Sequence, residues 1–319
     1  MADDELPLAA ADLERLRFRA RRELPSAGLA GVRRRRIGQS LEYRDHRGYV
    51  PGDDVRLIDW RASERLPAGD DLLVRNFEAE ERFTVAVAVD NRPDMALPEA
   101  APPGLVARWI VEATAVIAAR EKLAVRFLPL FDGGPKPSRP AHGRAIAEAA
   151  RTFCAGLVRS SAPDPAAADP ALSTAAVMRA LPPACALIVV TTATFTDPLG
   201  RFAALMAAAR RGFRQLAVAV LDPWPFERAL LAEGLVALEA AGGAAARAGV
   251  FDPAPAELDA SEAALERHRR DLLAPAGAAQ YRFRWPAVAG APLPAVRASF
   301  RRWFMDFAVT TQLFAREAR

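Results

Sequence analysis

The 319-residue chain is 51% hydrophobic, which is enough for one large core or two small ones. Its formal net charge is only +4 despite a pI near 9.5. Three His and two Cys leave no redundancy for a histidine or cysteine metal centre. Cys154 and Cys185 lack C-x-x-C spacing, which points to a reduced, cytoplasmic setting. No uninterrupted apolar run approaches the roughly 20 residues of a membrane span, and the acidic start Met1 to Leu6 lacks a signal-peptide layout.

Leu13, Leu16, Ala20 and Leu24 recur at helical spacing and predict a helix over 11–24. Arginines concentrate here and at Arg33 to Arg36. Without zinc-finger spacing or an aromatic-interleaved motif they read as a solvated face and not a nucleic-acid patch. Residues 1–37 form an N-terminal helix and basic segment. Residues 38–82 form a motif-bearing segment of strands and turns packed on the main domain.

The run Phe83 to Val89 alternates apolar residues into Asp90 and predicts a buried strand. A helix over Gly104 to Glu121, a strand over Leu123 to Phe131 and breakers at Asp132-Gly-Gly-Pro follow. Next come a helix over Gly143 to Arg159, a flexible loop over Ser160 to Pro170 and a helix over Ala171 to Leu181. A continuous apolar strand runs from Cys185 to Thr192. Pro198 to Arg211 predicts a helix with Asp197 as N-cap and Pro198 in its first turn. Gln215 to Asp222 is another strand. Residues 230–252 are ambiguous, with a possible hairpin insertion around Gly242-Gly243. A helix over Ser261 to Leu273, a last strand over Tyr281 to Trp285 and a terminal helix over Leu293 to Arg316 complete the chain. Such alternation predicts an α/β domain over 83–319, a doubly wound, mostly parallel sheet. Val296, Phe300, Trp303, Phe304, Phe307, Thr311 and Phe314 make a helical stripe. It reads as core packing, with a partner-facing groove as the alternative.

The densest chemistry lies in Arg47-Gly-Tyr49-Val-Pro51-Gly52-Asp53-Asp54-Val-Arg56-Leu-Ile58-Asp59-Trp60. Pro51-Gly52 is a turn signal. Asp53, Asp54 and Asp59 interleave with Arg44, Arg47, Arg56, Arg61 and Arg65. Such interleaving favours a charge-assisted network over a catalytic carboxylate cluster. Tyr49, Ile58 and Trp60 would anchor it in buried positions. Phe77, Glu78, Glu80 and Glu81 form either a docking edge or a solvated strand edge. His46, His142 and His268 show no nucleophile–base spacing, and no phosphate-binding glycine motif appears.

Gly38 with Tyr43-Arg44, the P-G-D-D-x-R-x-I-D-W block, Arg61-Ala-Ser-Glu-Arg65, Phe77-Glu78 with Glu81, and the strand into Asp90 resemble the family called domain of unknown function 58. Pro225 to Val236 resembles a later segment of that family. The resemblance implies a von Willebrand factor A-type fold; many relatives carry N-terminal membrane helices, and with no apolar span this chain looks like a soluble member. It also implies a cation loop of form D-x-S-x-S after the first core strand, with a threonine and an aspartate elsewhere. Short oxygen-bearing side chains suit the octahedral demand of Mg²⁺.

The chain departs from that pattern. Asp90 is kept, Arg92 and Asp94 replace the serines, and Ala193 falls where the later aspartate is expected. Ser173 and Thr174 are the threonine candidates. A guanidinium has no acceptor lone pair and cannot ligate a cation. No cofactor and no metal are therefore expected, unless Asp90, Asp94 and Thr192 form a rearranged Mg²⁺ or Ca²⁺ site. Arg92 either pairs with Asp90 or Asp94, or points to solvent while backbone amides and Thr192 hold Asp90.

The family resemblance implies a non-enzymatic adaptor or chaperone-type partner of a MoxR-type AAA+ ATPase. Its role would be maturation of, or metal insertion into, a client, with methanol dehydrogenase one possible client. The alternatives are a metal-dependent von Willebrand factor A binding module and, less favoured, a hydrolase using the acidic block.

Overall fold

The computed structural model describes residues 5–18, 43–50, 55–65, 72–77, 84–160, 170–181, 185–210, 215–234, 236–238, 249–287, 292–311 and 314–316. The chain divides into two compact units, one of Pro25–Arg82 and one of Met1–Leu24 with Phe83–Arg319. The described elements begin with α1 (Ala10–Glu14), β1 (Leu16–Phe18), β2 (Tyr43–Gly48), α2 (Trp60–Ser63), β3 (Leu73–Phe77) and β4 (Thr84–Val89). They continue with α3 (Pro103–Arg120), β5 (Ala124–Pro129), α4 (Ala145–Ser160), α5 (Thr174–Ala180), β6 (Cys185–Thr191), α6 (Arg201–Arg210) and β7 (Gln215–Asp222). The last are α7 (Trp224–Leu231), β8 (Val236–Leu238), β9 (Gly249–Phe251), α8 (Pro255–Leu273), β10 (Gln280–Arg284), α9 (Leu293–Thr310) and β11 (Phe314–Arg316).

The larger unit is built on a five-stranded sheet ordered β10-β7-β6-β4-β5. Every pairing in it is parallel. All residues of β4 and β6 are buried, as expected for strands covered on both faces. Alternation sends Val85, Val87 and Val89 to one face, against Trp109 and Ile110 of α3, Phe153 of α4 and Phe300 of α9. Ala86 and Ala88 face the other side, with Val177 of α5, Phe202 of α6 and Leu273 of α8. Helices thus cover both faces, and the doubly wound α/β class follows directly.

Strand order places the site. From β4 the chain crosses to β5 on one side and then returns to place β6 on the other. The carboxyl ends of β4 and β6 therefore flank a topological switch point, the customary ligand crevice of open α/β sheets.

Several expected boundaries move, each for a local reason. The helix expected over 11–24 ends at Glu14, because Leu16–Phe18 pairs antiparallel with Phe314–Arg316. That ribbon also shortens the terminal helix, which stops at Thr310. The helix expected from Pro198 starts at Arg201, since Gly200 takes a left-handed φ of 62°. Asp197 still caps it, accepting the amides of Arg201, Phe202 and Ala203. The helix over 171–181 shrinks to α5, while α8 begins earlier, at Pro255. The hairpin forms, with Val236–Leu238 paired to Gly249–Phe251; Gly242 and Gly243 lie outside the described residues, as does most of the 160–170 loop. Of the aromatic stripe, Val296, Phe300, Phe304 and Phe307 are buried in the core. No helix among the described residues is long and apolar enough to cross a membrane.

Candidate functional site

Arg92 occupies the switch-point crevice. Its side chain leaves the loop after β4 and turns back over the strand ends. Nε donates to Asp90 Oδ1 at 3.1 Å and Nη2 to Asp90 Oδ2 at 2.8 Å, a bidentate fork. Nη1 donates to Asp94 Oδ2 at 2.8 Å. Nη2 also reaches Thr192 Oγ1 at 3.2 Å and Thr194 Oγ1 at 3.1 Å. Cζ also lies 5.0 and 5.2 Å from the ring centroids of Phe131 and Phe195, which pack edge-to-face on each other. Burial pulls the guanidinium pKa down, but the charges and hydrogen bonds of Asp90 and Asp94 outweigh it and hold it up. The cation is permanent.

Asp90 is equally committed. Its side chain is fully buried. Oδ1 accepts from the backbone amide and Nε of Arg92, and Oδ2 from Arg92 Nη2 and Thr191 Oγ1. Four donors meet the roughly four lone-pair sites of a carboxylate. The hydroxyl holding Asp90 is thus that of Thr191, whereas Thr192 sits on the arginine.

A second buried pair continues the network. Asp222 ends β7 as Asp90 follows β4, and it is wholly buried. Arg269 of α8 donates Nη1 to Asp222 Oδ1 at 2.6 Å and Nε to the Thr192 carbonyl at 3.2 Å. Thr192 therefore joins the two arginines. Nε of Arg282 and of Arg284 lie 3.3 and 3.2 Å from Asp222 Oδ2. Nearby, Glu227 of α7 is half-buried. Burial pushes its carboxyl up to about 7, with the charges of Asp222 and Asp94 adding and Arg269 opposing.

A divalent cation does not fit this arrangement. Its place is filled by a guanidinium that has no lone pair to offer. The lone pairs of Asp90 are spent. Ala193, buried with a φ of 54°, offers no oxygen from its side chain. Ser173 bonds Asp132 instead of turning to Asp90, and Thr174 Oγ1 is buried without a partner. The rearranged set Asp90, Asp94 and Thr192 does converge, but on Arg92.

In the smaller unit, β2 and β3 pair antiparallel. Ile58 bridges to Val74 and is buried. Asp59 caps α2, accepting the Ala62 amide at 3.1 Å through Oδ1, while Oδ2 lies 3.1 Å from His46 Nε2. Ser63 donates to the Asp59 carbonyl and accepts the Leu73 amide. Trp60 corrects the expectation of burial, being 60% exposed. Ile58 takes the inward position, and the cap at Asp59 makes Trp60 the first helical residue, turned outward. Tyr49 is half-buried, while Arg56 and Arg65 are exposed. Pro51, Gly52, Asp53, Asp54, Glu78, Glu80 and Glu81 lie outside the described residues. So do the side chains of Tyr43, Arg44, Arg47 and Phe77.

A family model described as "Protein of unknown function DUF58" matches residues 45–248, more than half of the chain. The chain belongs to the DUF58 family. No curated protein matches it. A solved structure similar to this DUF58 protein is the conserved hypothetical protein BatB from Bacteroides thetaiotaomicron. The two are 13% identical with a TM-score of 0.39, over 70% of this chain and 98% of BatB.

Asp222, Thr191, Thr194, Glu227 and Arg269 were not marked by sequence reasoning. Asp222 carried a usable signal, since Gln215 to Asp222 ends an apolar strand in aspartate just as the run into Asp90 does. Arg269 carried none. It sits in a helix with other arginines and beyond the DUF58 match.

Proposed function

We propose that this DUF58 protein is a non-catalytic binding module whose switch-point face is locked by arginine in place of a cation, and that it serves as an adaptor for a MoxR-type AAA+ ATPase acting on a client protein. The observation that carries the reading is the bidentate Arg92–Asp90 pair extended to Asp94. A crevice filled in this way presents a fixed shape to a partner without waiting for metal. Among the described residues, the crevice hydroxyls of Thr191 and Thr194 donate to Asp90 and Asp94, carboxylates already bonded to Arg92, and the Ser63 hydroxyl near the His46–Asp59 pair is turned to backbone groups. The ATPase and its client, including methanol dehydrogenase, come from the family resemblance.

The test combines two measurements on the purified chain. Titration calorimetry with Mg²⁺, Ca²⁺ and Mn²⁺ should show no saturable binding below millimolar concentration. Co-purification with a MoxR-type ATPase should give a nucleotide-dependent complex that Asp94→Lys weakens at the crevice rim. A saturable cation site abolished by Asp90→Ala would favour the metal-dependent binding module. Failure of every nucleotide state to form a complex would remove the adaptor reading.

A further inference from the structure

A groove of about 730 Å³ lies between the loop following β5 and helix α4. None of the residues that bond Arg92 lines it, and its occupant does not depend on the role of Arg92. Its back wall is held by hydrogen bonds. Ser138 and Phe127 bond through backbone and side chain, and Ala141 pairs with Val125, so the loop lies along the outer edge of β5. Gly156 permits the close approach at one end: a Cβ there would stand 2.6 Å from Pro135 Cβ.

The lining has two chemical zones. The floor is apolar, made by Pro135, Pro140, Ala145, Ala149 and the ring of Phe153. The rim is cationic, carrying Lys136, Arg139 and Arg159, all exposed and without an ion pair among the described residues. The one acid in the lining, Glu148, is already engaged by Arg151 at 2.7 Å and does not neutralise them. An apolar centre inside a charged rim is the anatomy of a protein-recognition surface. A small-molecule site would instead set a few fixed polar groups around an enclosed cavity.

We propose that this groove docks an acidic, extended peptide segment of a partner protein, with an apolar side chain seated on Phe153 and flanking carboxylates on Lys136, Arg139 and Arg159. The charge complementarity selects the occupant: three cations without an ion pair among the described residues, set around an apolar floor, suit acids that bracket a hydrophobic residue. The helix sets the length. From Glu148 to Arg159 the groove follows α4 for roughly 16 Å at 1.5 Å per residue, which about five extended residues span. The loop sets the mode. Pro135, Pro137 and Pro140 lack amide donors, so strand addition is blunted and side chains hold the segment.

The experiment is fluorescence anisotropy with labelled hexapeptides and the full chain. The probe is Glu-Asp-Leu-Asp-Glu-Glu. Its controls are the same peptide with Leu replaced by Gly, and a version with Lys at each acid. The proposal expects saturable binding of the probe that weakens with salt, weakens at least tenfold for the glycine peptide, and vanishes for the lysine peptide. Lys136→Glu/Arg139→Glu/Arg159→Glu should lower affinity at least tenfold. Thr152→Trp, which fills the exposed groove wall without changing charge, should do the same, with parental melting temperatures confirming that both variants fold. Equal binding of leucine and glycine peptides would overturn the proposal, because only diffuse attraction would remain. Parental affinity in Thr152→Trp would also overturn it, as would a single-stranded RNA that outcompetes the peptide at equal charge.

Discussion

Arg92 and Asp90 form a two-residue hairpin of charge. The guanidinium doubles back on its own loop so that Nε and Nη2 meet both oxygens of a carboxylate with no exposed side-chain surface. The loop after a first core strand is where the family resemblance implies a cation. Here the positive charge is covalent. It cannot be chelated away, and its fork geometry orients Asp94 and Thr194 as well.

Removing one member of a buried pair strands the other, at a cost of about 3–5 kcal/mol. Arg92→Ala and Asp90→Ala are each expected to lose about that much by urea denaturation. The double variant Asp90→Ala/Arg92→Ala should lose clearly less than the sum of the two single losses. Strict additivity would mean that the two groups do not act as a unit.

Trp60 and Ile58 should respond in opposite proportion to their size. Ile58→Ala removes a buried side chain and is expected to cost roughly 2–4 kcal/mol. Trp60→Ala removes an exposed one and should change stability by about 0.5 kcal/mol or less. Asp59→Ala, which deletes a cap bonded also by His46, should fall between them at about 1 kcal/mol. Denaturation of the three variants side by side gives the ranking.

Glu227 supplies a pH signature. Its folded pKa, about 7, lies above the ordinary value of 4.5. The folded state therefore binds the proton more tightly, and the group stabilises fully below pH 4.5. That contribution is lost as pH rises through about 7. Glu227→Gln removes the dependence. The variant is expected to match the parent near pH 4.5 and to exceed it at pH 8 by no more than about 3 kcal/mol. Thermal melts at half-unit pH steps test the sign. A constant difference across that range would mean that Glu227 is not held neutral by Asp222, Asp94 and burial.

Cys154 is buried, and desolvation with the nearby charge of Glu112 pushes its thiol up to about 12. Cys185 is also buried. Neither should be alkylated by iodoacetamide at pH 8 in the native protein, and both should react fully in urea. Intact-mass measurement separates the two cases, and rapid native labelling would contradict the packing.

The sheet was legible because β4, β6 and β7 are continuous apolar runs, which only strands covered on both faces carry at that length. A charge at the end of such a run must find a partner, but the sequence left Arg92 or backbone amides with Thr192 as that partner, and only the fold decides for Arg92. Trp60 was misread because size suggested burial, whereas the direction of the side chain is set by the cap at Asp59 one residue before it. The ribbon of β1 with β11 joins residues at opposite ends of the chain, and no local periodicity reports such a pairing. Arg269 escaped for a similar reason, since its partner Asp222 is 47 positions away.

The central claim is that arginine, not metal, holds the switch point. Its most direct test is urea denaturation of the parent and of Arg92→Ser, each in chelator and in millimolar Mg²⁺. The account predicts that the parent gains nothing from Mg²⁺, and that Arg92→Ser is about 3–5 kcal/mol less stable in chelator. A parent that gains stability saturably with Mg²⁺, or an Arg92→Ser protein as stable as the parent in chelator, would contradict it.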